Sequence, residues 1–432
     1  MKPIAQIAAE LPGYDPDAMG VEQVGAVLAQ LVEHPVAQAE EAGIFDALGR
    51  VLAEDVVSPI DVPAHDNSAM DGYAFAGAQL APGQPLTLRV AGTVMAGHTF
   101  AGTVAADECV RIMTGAPMPP GLDTVVPHEL TTPAAEPGHI TVAADAVRPG
   151  GNRRRAGEDL PRGGTALARG EPLTPAALGL LASLGLARAT VYRRLRVAVF
   201  STGDEILSLG EAPRPGAVYD SNRYTLFGLL TRLGVQVIDL GAVPDDPARI
   251  AATLRSAAQQ ADAIITSGGV SAGDADHTRS MLHKLGDVAF WRVAVQPGRP
   301  LAVGRIRPPG VDAGPGALLF GLPGNPVAVM VAFLAFVRPA LLRMMGHTRA
   351  QPPLLRATTT EALRKRPGRT EYQRGIVATA PDGSLQVRST GNQGSGVLSS
   401  MVRANGLIVL ERDRGPVAAG EVVDVMVFEG SM

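Results

Sequence analysis

Cysteine is almost absent from the chain. Cys109 is the only one in 432 residues, so no disulfide can form within it and a cysteine-based zinc site is excluded. That usage fits a reducing compartment. Lysine is nearly as scarce: Lys2, Lys284 and Lys365 are the whole set, and the rest of the 38 basic residues are arginines. With abundant Ala, Gly and Pro, this is a compositional habit, and it makes the typical cation a guanidinium. The net charge is only −4, which argues against a general nucleic-acid binder, because phosphate contacts dominate such affinity. No apolar run approaches the ~20 residues that cross a bilayer; the longest is Val327 to Val337. The opening MKPIAQIAAELPGYDPD lacks the apolar core of a signal peptide. There is no low-complexity tract and no solenoid period. The expectation is a soluble cytoplasmic protein, with neither membrane nor nucleic acid as partner.

What is present points to several packed domains. Hydrophobic residues make up 46% of the chain, enough for a substantial core. Gly (50) and Pro (35) together form about a fifth of it, against a usual ~12%, which implies many tight turns. Residues 16–57 show helical periodicity, with Val21, Val24, Leu28 and Leu31 on one face. Residues 173–193 look helical too and can complete that piece, so the spacing predicts a discontinuous helical and linker domain from 1–65 and 158–193. Residues 66–157 read as a mostly β module, with strands in PLTLRVAGTV, ECVRIMTG and DTVVPHEL.

The segment 194–346 alternates strands and helices. RVAVFST, VQVIDLG, ADAIITS and ALLFGL read as strands. SNRYTLFGLLTRLG, with Ser221 as N-cap, and DDPARIAATLRSAAQQ read as helices, as do 274–286 and 327–345. Such alternation predicts a doubly wound parallel sheet, which binds ligands beyond the carboxyl ends of its strands. Residues 350–432 revert to β, including a hairpin turning at Pro381–Ser384, and suggest a small closed barrel. The fold class expected is therefore multidomain α/β plus β.

The polar chemistry clusters at the inferred strand ends. STGDE supplies Asp204 and Glu205, VPDDP supplies Asp245 and Asp246, and SGGVSAGDAD supplies Asp274 and Asp276. Carboxylates converging from three turns repel one another unless a divalent cation lies between them, and hard oxygen donors with a phosphate suit Mg²⁺. The SGG turn adds backbone N–H groups for an anion. The cation would thus reconcile acidic side chains with an anionic ligand. Each motif also has a plain structural reading: Asp245 or Asp246 can cap the following helix, Asp276 can cap another, and the glycines can simply form turns. GLPGNP adds Pro323 and Asn325, where Asn325 either caps a helix or aims its N–H groups at a phosphate. In the β module, HDNSAMDGYAF, RIMTGAPMP and GGNRRRAGEDL carry Asp71, Thr114, Arg154, Glu158 and Asp159. Arginines interleaved with Gly and acids suit an oxyanion contact held by an internal ion pair.

Seven of these motifs, in this order, resemble the MoeA family of molybdopterin molybdenumtransferases, which is related to the E domain of gephyrin. They are DNSAMDGYA, RIMTGAP, the GED segment, STGDE, SGGVSAGDAD, QPGRP and GLPGNP, and the resemblance runs from about residue 20 to the C-terminus. It implies an elongated four-domain homodimer whose doubly wound domain is MogA-like, with the active site between that domain of one subunit and the β module of the other. It implies insertion of molybdate into adenylylated molybdopterin, with Mg²⁺-dependent release of AMP and formation of molybdenum cofactor. Further partners implied are the molybdopterin adenylyltransferase and molybdoenzyme apoproteins. Carried over by position, Glu205, Asp245 and Asp276, with Asp274 beside them, serve Mg²⁺ and pyrophosphate chemistry. Asp71, Thr114, Arg154 and Asp159 face them from the partner, Asp159 holding Arg154 on an oxyanion. Gly268, Gly269 and Ser271 cradle the pterin phosphate. Arg292, Gln296 and Arg299 stand where some relatives have lysines. The two arginines keep a grip on molybdate or phosphate oxygens, whereas Gln296 supplies no charge. Tungstate is an alternative oxyanion. A molybdopterin adenylyltransferase and a non-catalytic gephyrin-like scaffold are the competing readings.

Overall fold

The computed structural model describes residues 2–36, 38–269, 281–308, 310 and 316–428. Its centre is a six-stranded sheet in the order Gln236–Val243, Arg196–Thr202, Ala263–Ser267, Ala317–Leu322, Pro300–Ile306, Gly286–Arg292. The first four strands are parallel. The last two run antiparallel and extend the doubly wound sheet at one side, a feature that strand–helix alternation alone does not predict.

Side chains alternate across this sheet. Val197 and Val199 face one helix layer with Leu226 and Leu230 of Ser221–Arg232. Ala198 and Phe200 face the other, with Ile250 and Leu254 of Pro247–Gln260. That two-residue period is why both faces are covered. Asp220, rather than the expected Ser221, caps the first helix by accepting from Arg223 N at 3.1 Å. Asp246 caps the second, accepting from Arg249 N at 2.8 Å, so Asp245 is left for other work.

The apolar run after GLPGNP becomes a helix of 19 residues, Pro326–Met344, longer than the run itself because it continues through Arg338 and Pro339. It is long and apolar enough to span a membrane by composition, but 83% of its most apolar 18-residue stretch is buried inside the protein. Residues Phe333–Val337 form a π-helical turn. Pro339 has no amide to donate, and the wider turn just before it is where the helix absorbs that loss.

Residues 16–57 are only partly helical. The helix Val21–Leu31 ends before His34 and Pro35, and Ala39–Gly43 is a strand paired antiparallel with Arg188–Tyr192. Likewise the helix Pro175–Ser183 gives way to that strand after Gly185, whose φ of +75° ends it. Ala42, Leu52, Leu173, Leu181 and Val191 from the two segments share one core. The β-branched Thr190 and Val191 fit a pleated strand better than a helix.

The β module is a six-stranded sheet built around Gly72–Phe75, Glu108–Ile112 and Leu86–Val94. The C-terminal sheet closes on itself, because Thr370–Thr379 pairs with both Leu385–Ser389 and Gly406–Leu410. A short strand from the α/β domain, Val295–Gln296, adds to that barrel in parallel beside Thr370 and Glu371.

Candidate active site

Because the four central strands are parallel, their carboxyl ends share one edge. The antiparallel pair brings Arg299, just before Pro300, and Arg292, opposite Pro300, to the same edge. The rim therefore reads, strand by strand, Asp245, Glu205, Gly268–Gly269, Pro323–Asn325, Arg299, Arg292. Acids lie at one end and guanidiniums at the other. With about 4.8 Å between strands, three to five spacings or roughly 14–24 Å separate them, and the glycine turn lies between.

At the acidic end, Thr202 Oγ donates to Asp245 Oδ1 at 2.5 Å, and Asp245 N donates to Asp204 Oδ1 at 3.1 Å. The Glu205 carboxylate lies over Gly203, where a Cβ would come within 2.5 Å of its Oε2. Gly268 and Gly269 have φ of +89° and +67°. A Cβ on Gly268 would sit 2.3 Å from Thr202 O, so both backbone conformation and close approach demand glycine there. Asp274, Asp276 and Ser271 lie outside the described residues. Among the described residues, no three His, Cys, Asp or Glu side chains gather in a metal-binding group.

The GLPGNP turn is held from two sides. Asn222 Nδ2 donates to Gly324 O at 2.7 Å, and Asn325 Nδ2 donates to Ser395 Oγ at 3.0 Å. Asn325 occupies the cap position of the helix without a side-chain cap bond; its amide is spent on the C-terminal barrel instead. The Val327 amide also donates to Ser395 O, at 3.1 Å. At the basic end, Arg299 Nη2 donates to Asp17 O at 3.1 Å. Burial first, then the nearby Arg369 and Arg292 guanidiniums, lowers the pKa of Arg299 from its ordinary value. The barrel strand beginning at Thr370, paired with Val295, is what brings Arg369 there.

The β module presents its own pair of acids. Asp71 Oδ1 accepts from both Thr114 N and Thr114 Oγ, each at 2.7 Å. These bonds, the backbone one first, hold its carboxyl below the usual range. Arg154 Nε donates to Glu158 Oε1 at 3.0 Å. Glu158, not the expected Asp159, holds Arg154 within the chain. The Glu158 oxygens face the Arg155 amide and the Arg154 guanidinium, whereas Asp159 is exposed and tied down by its backbone N–H to Val62 O.

Three family models cover most of the chain. The MoeA N-terminal region (domain I and II) matches residues 19–185, a probable molybdopterin binding domain matches 198–343, and the MoeA C-terminal region (domain IV) matches 356–428. The chain is 44% identical over 392 residues to the molybdopterin molybdenumtransferase of Haemophilus influenzae, covering 90% of this chain and 94% of that protein. The chain belongs to the MoeA family. Molybdopterin molybdenumtransferase 2 of Mycobacterium tuberculosis is 39% identical, over 88% of this chain and 93% of that one. Among solved structures, a MoeA protein from Pyrococcus horikoshii superposes with a TM-score of 0.79 at 26% identity, covering 95% of this chain and 100% of that one.

For this MoeA protein, sequence reasoning missed three residues that the fold brings to the rim. Thr202 was part of a turn motif, yet its hydroxyl fixes Asp245. Ser395 and Arg369 come from the C-terminal barrel, whose approach to the rim depends on the pairing of 295–296 with 370–371. The RKRPGR run around Arg369 was the signal available for that cation.

Proposed function

We propose that the chain is a molybdopterin molybdenumtransferase acting in molybdenum cofactor biosynthesis. It takes adenylylated molybdopterin and molybdate, and releases molybdenum cofactor and AMP. The observation that carries this reading is the polarised rim, with acids at one end, arginines at the other and a close-packed glycine turn between. An elongated substrate with separated anionic groups suits that spacing. Gly268 N donates to Leu322 O at 3.1 Å, which anchors the turn to the sheet and leaves the following amide, Gly269 N–H, for a phosphate. Arg292 and Arg299, with Arg369, supply planar donors for a tetrahedral oxyanion, and guanidinium is suited to that geometry. Gln296 contributes no charge there.

Asp245 and Glu205, together with Asp274 and Asp276, form the donor set for Mg²⁺. The Glu205 carboxylate accepts no hydrogen bond from the described residues, so it retains coordination capacity, and carboxylate oxygens are the ligands this hard cation prefers. When bound, Mg²⁺ supplies charge neutralisation at the phosphoanhydride being cleaved. Thr202 keeps Asp245 oriented throughout, and the rigid glycine turn fixes the phosphate relative to the acids.

The site is completed by a second copy of the chain. Asp71, Thr114 and Asp159, exposed on turns of the β module, and Arg154, exposed on its short strand Arg153–Arg154, make the opposite wall. Val218, Tyr219, Tyr224 and Phe227 expose apolar surface along the helix Ser221–Arg232 and the strand before it, an unpartnered face for a homodimer. The test is AMP release by purified protein given adenylylated molybdopterin, Mg²⁺ and molybdate. Molybdate-dependent AMP is expected. Pyrophosphate release from ATP and free molybdopterin, with adenylylated molybdopterin accumulating and no molybdate-dependent AMP, would indicate the adenylyltransferase instead.

A further inference from the structure

Residues 2–18 precede the span matched by the MoeA N-terminal model, which begins at residue 19, yet they are built into the fold. The helix Ile4–Ala9 buries Ile4, Ile7 and Ala8 in the central core, and Ile4 N donates to Asp287 Oδ2 at 2.8 Å. The chain then runs along the outer strand of the sheet. Arg292 N donates to Pro16 O at 2.8 Å, Met19 N to Arg292 O at 3.2 Å, and Ala294 N to Met19 O at 2.8 Å. Between these staples, the Asp17 carbonyl receives Arg299 Nη2. The Nε of Arg299 is buried with no partner among the described residues.

We propose that residues 2–18 are a positioning strap for the oxyanion end of the rim. The strap itself contributes the Pro16 O bond to Arg292 N, beside the Met19 pairing that lies just outside it, and holds the Arg299 guanidinium through the Asp17 backbone carbonyl. Arg292 and Arg369 repel Arg299, so an unrestrained side chain would swing away from the cluster. A carboxylate restraint would neutralise the guanidinium and compete with the incoming anion. The direct bond is to the Asp17 carbonyl, the Asp17 carboxylate being only the smallest of the influences on Arg299, so the side chain is fixed without a direct ion pair, and a group fixed beforehand loses less freedom when ligand binds. The proposal rests on the assignment of Arg292 and Arg299 to the oxyanion.

The full-length protein, a variant lacking residues 2–18, the milder Asp287→Ala, and Arg299→Ala are compared. Equilibrium dialysis reads molybdate affinity, AMP release reads KM for molybdate and kcat, and hydrogen exchange reads the amides of 293–299. Loss of the strap is expected to weaken molybdate binding about tenfold, the scale of one charged hydrogen bond, with kcat at saturating molybdate held within about twofold and faster exchange at 293–299. Asp287→Ala frees the Ile4 anchor and also removes the charge opposite the buried Arg305, so its denaturation midpoint is measured alongside; it is expected to shift KM in the same direction by a smaller factor. If Arg299→Ala weakens binding while both strap variants leave affinity and KM unchanged, the strap has no positioning role. If Arg299→Ala itself leaves binding unchanged, the oxyanion assignment fails first.

Discussion

The two edges of the central sheet both carry acidic residues, but in opposite conditions. At the amino edge, Asp262 precedes the strand Ala263–Ser267 and is buried. Its oxygens accept from Arg193 Nη1 and Nη2 at 2.7 Å each and from Arg196 N at 2.8 Å. At the carboxyl edge of the neighbouring strands, Asp245 accepts one hydroxyl and Glu205 accepts nothing from the described residues. One edge satisfies its charge and the other leaves it open. Saturated carboxylates hold a fold together, whereas under-satisfied ones at a strand-end rim are available to ligands.

That contrast can be broken experimentally. Asp262→Ala strands the half-buried Arg193 and is expected to lower stability by about 3 kcal/mol, seen as a fall in denaturation midpoint, while kcat of the folded enzyme stays near wild type. Asp245→Ala should do the reverse, lowering molybdate-dependent AMP release about 10²–10³-fold with little change in midpoint. A variant that lost both properties together would erase the distinction between the edges. Gly268→Ala tests the rim as a backbone cradle: its Cβ meets Thr202 O, so stability should fall by more than about 1 kcal/mol and KM for the pterin substrate should rise. Asp71→Asn weakens the clasp on Thr114 and should reduce kcat/KM about tenfold, the scale of one charged hydrogen bond.

The smallest effect is in pH. Burial raises the pKa of Asp262, but the Arg193 pair and the Arg196 amide outweigh it, and the net shift is downward. A carboxyl with a depressed folded pKa contributes stability above the ordinary Asp range, and that contribution is lost as pH falls through the folded value. Midpoints measured below about pH 4 should therefore drop more steeply for the wild type than for Asp262→Asn.

Much of this was legible in the sequence because it is local. Strand–helix alternation and glycine turns with acids after apolar runs follow from short-range periodicity, and they placed Glu205, Asp245, Gly268 and Gly269 on one edge. Neighbouring polar residues were harder. Asp245 and Asp246 are interchangeable as caps on paper, and only helix phase assigns the cap to Asp246. Asp159 and Glu158 are adjacent, and loop geometry gives Arg154 to Glu158. Residues 39–57 carry a helical pattern that is overridden by pairing with Arg188–Tyr192, far away in the chain. Arg369, Ser395 and the N-terminal strap reach the rim through partners more than 60 residues distant, which no local pattern encodes.

The helix Pro326–Met344 has a consequence of its own. Its first turn is bonded to Ser395 of the barrel, and its last carbonyls receive Val36 N beyond the N-terminal helix. A single rod thus begins under the substrate turn and ends in the first module of the chain. Rotating the barrel by itself would pull on the GLPGNP turn, and tilting the N-terminal module would push on the same turn from behind. The geometry of one short loop is therefore a joint property of the two terminal regions of the protein.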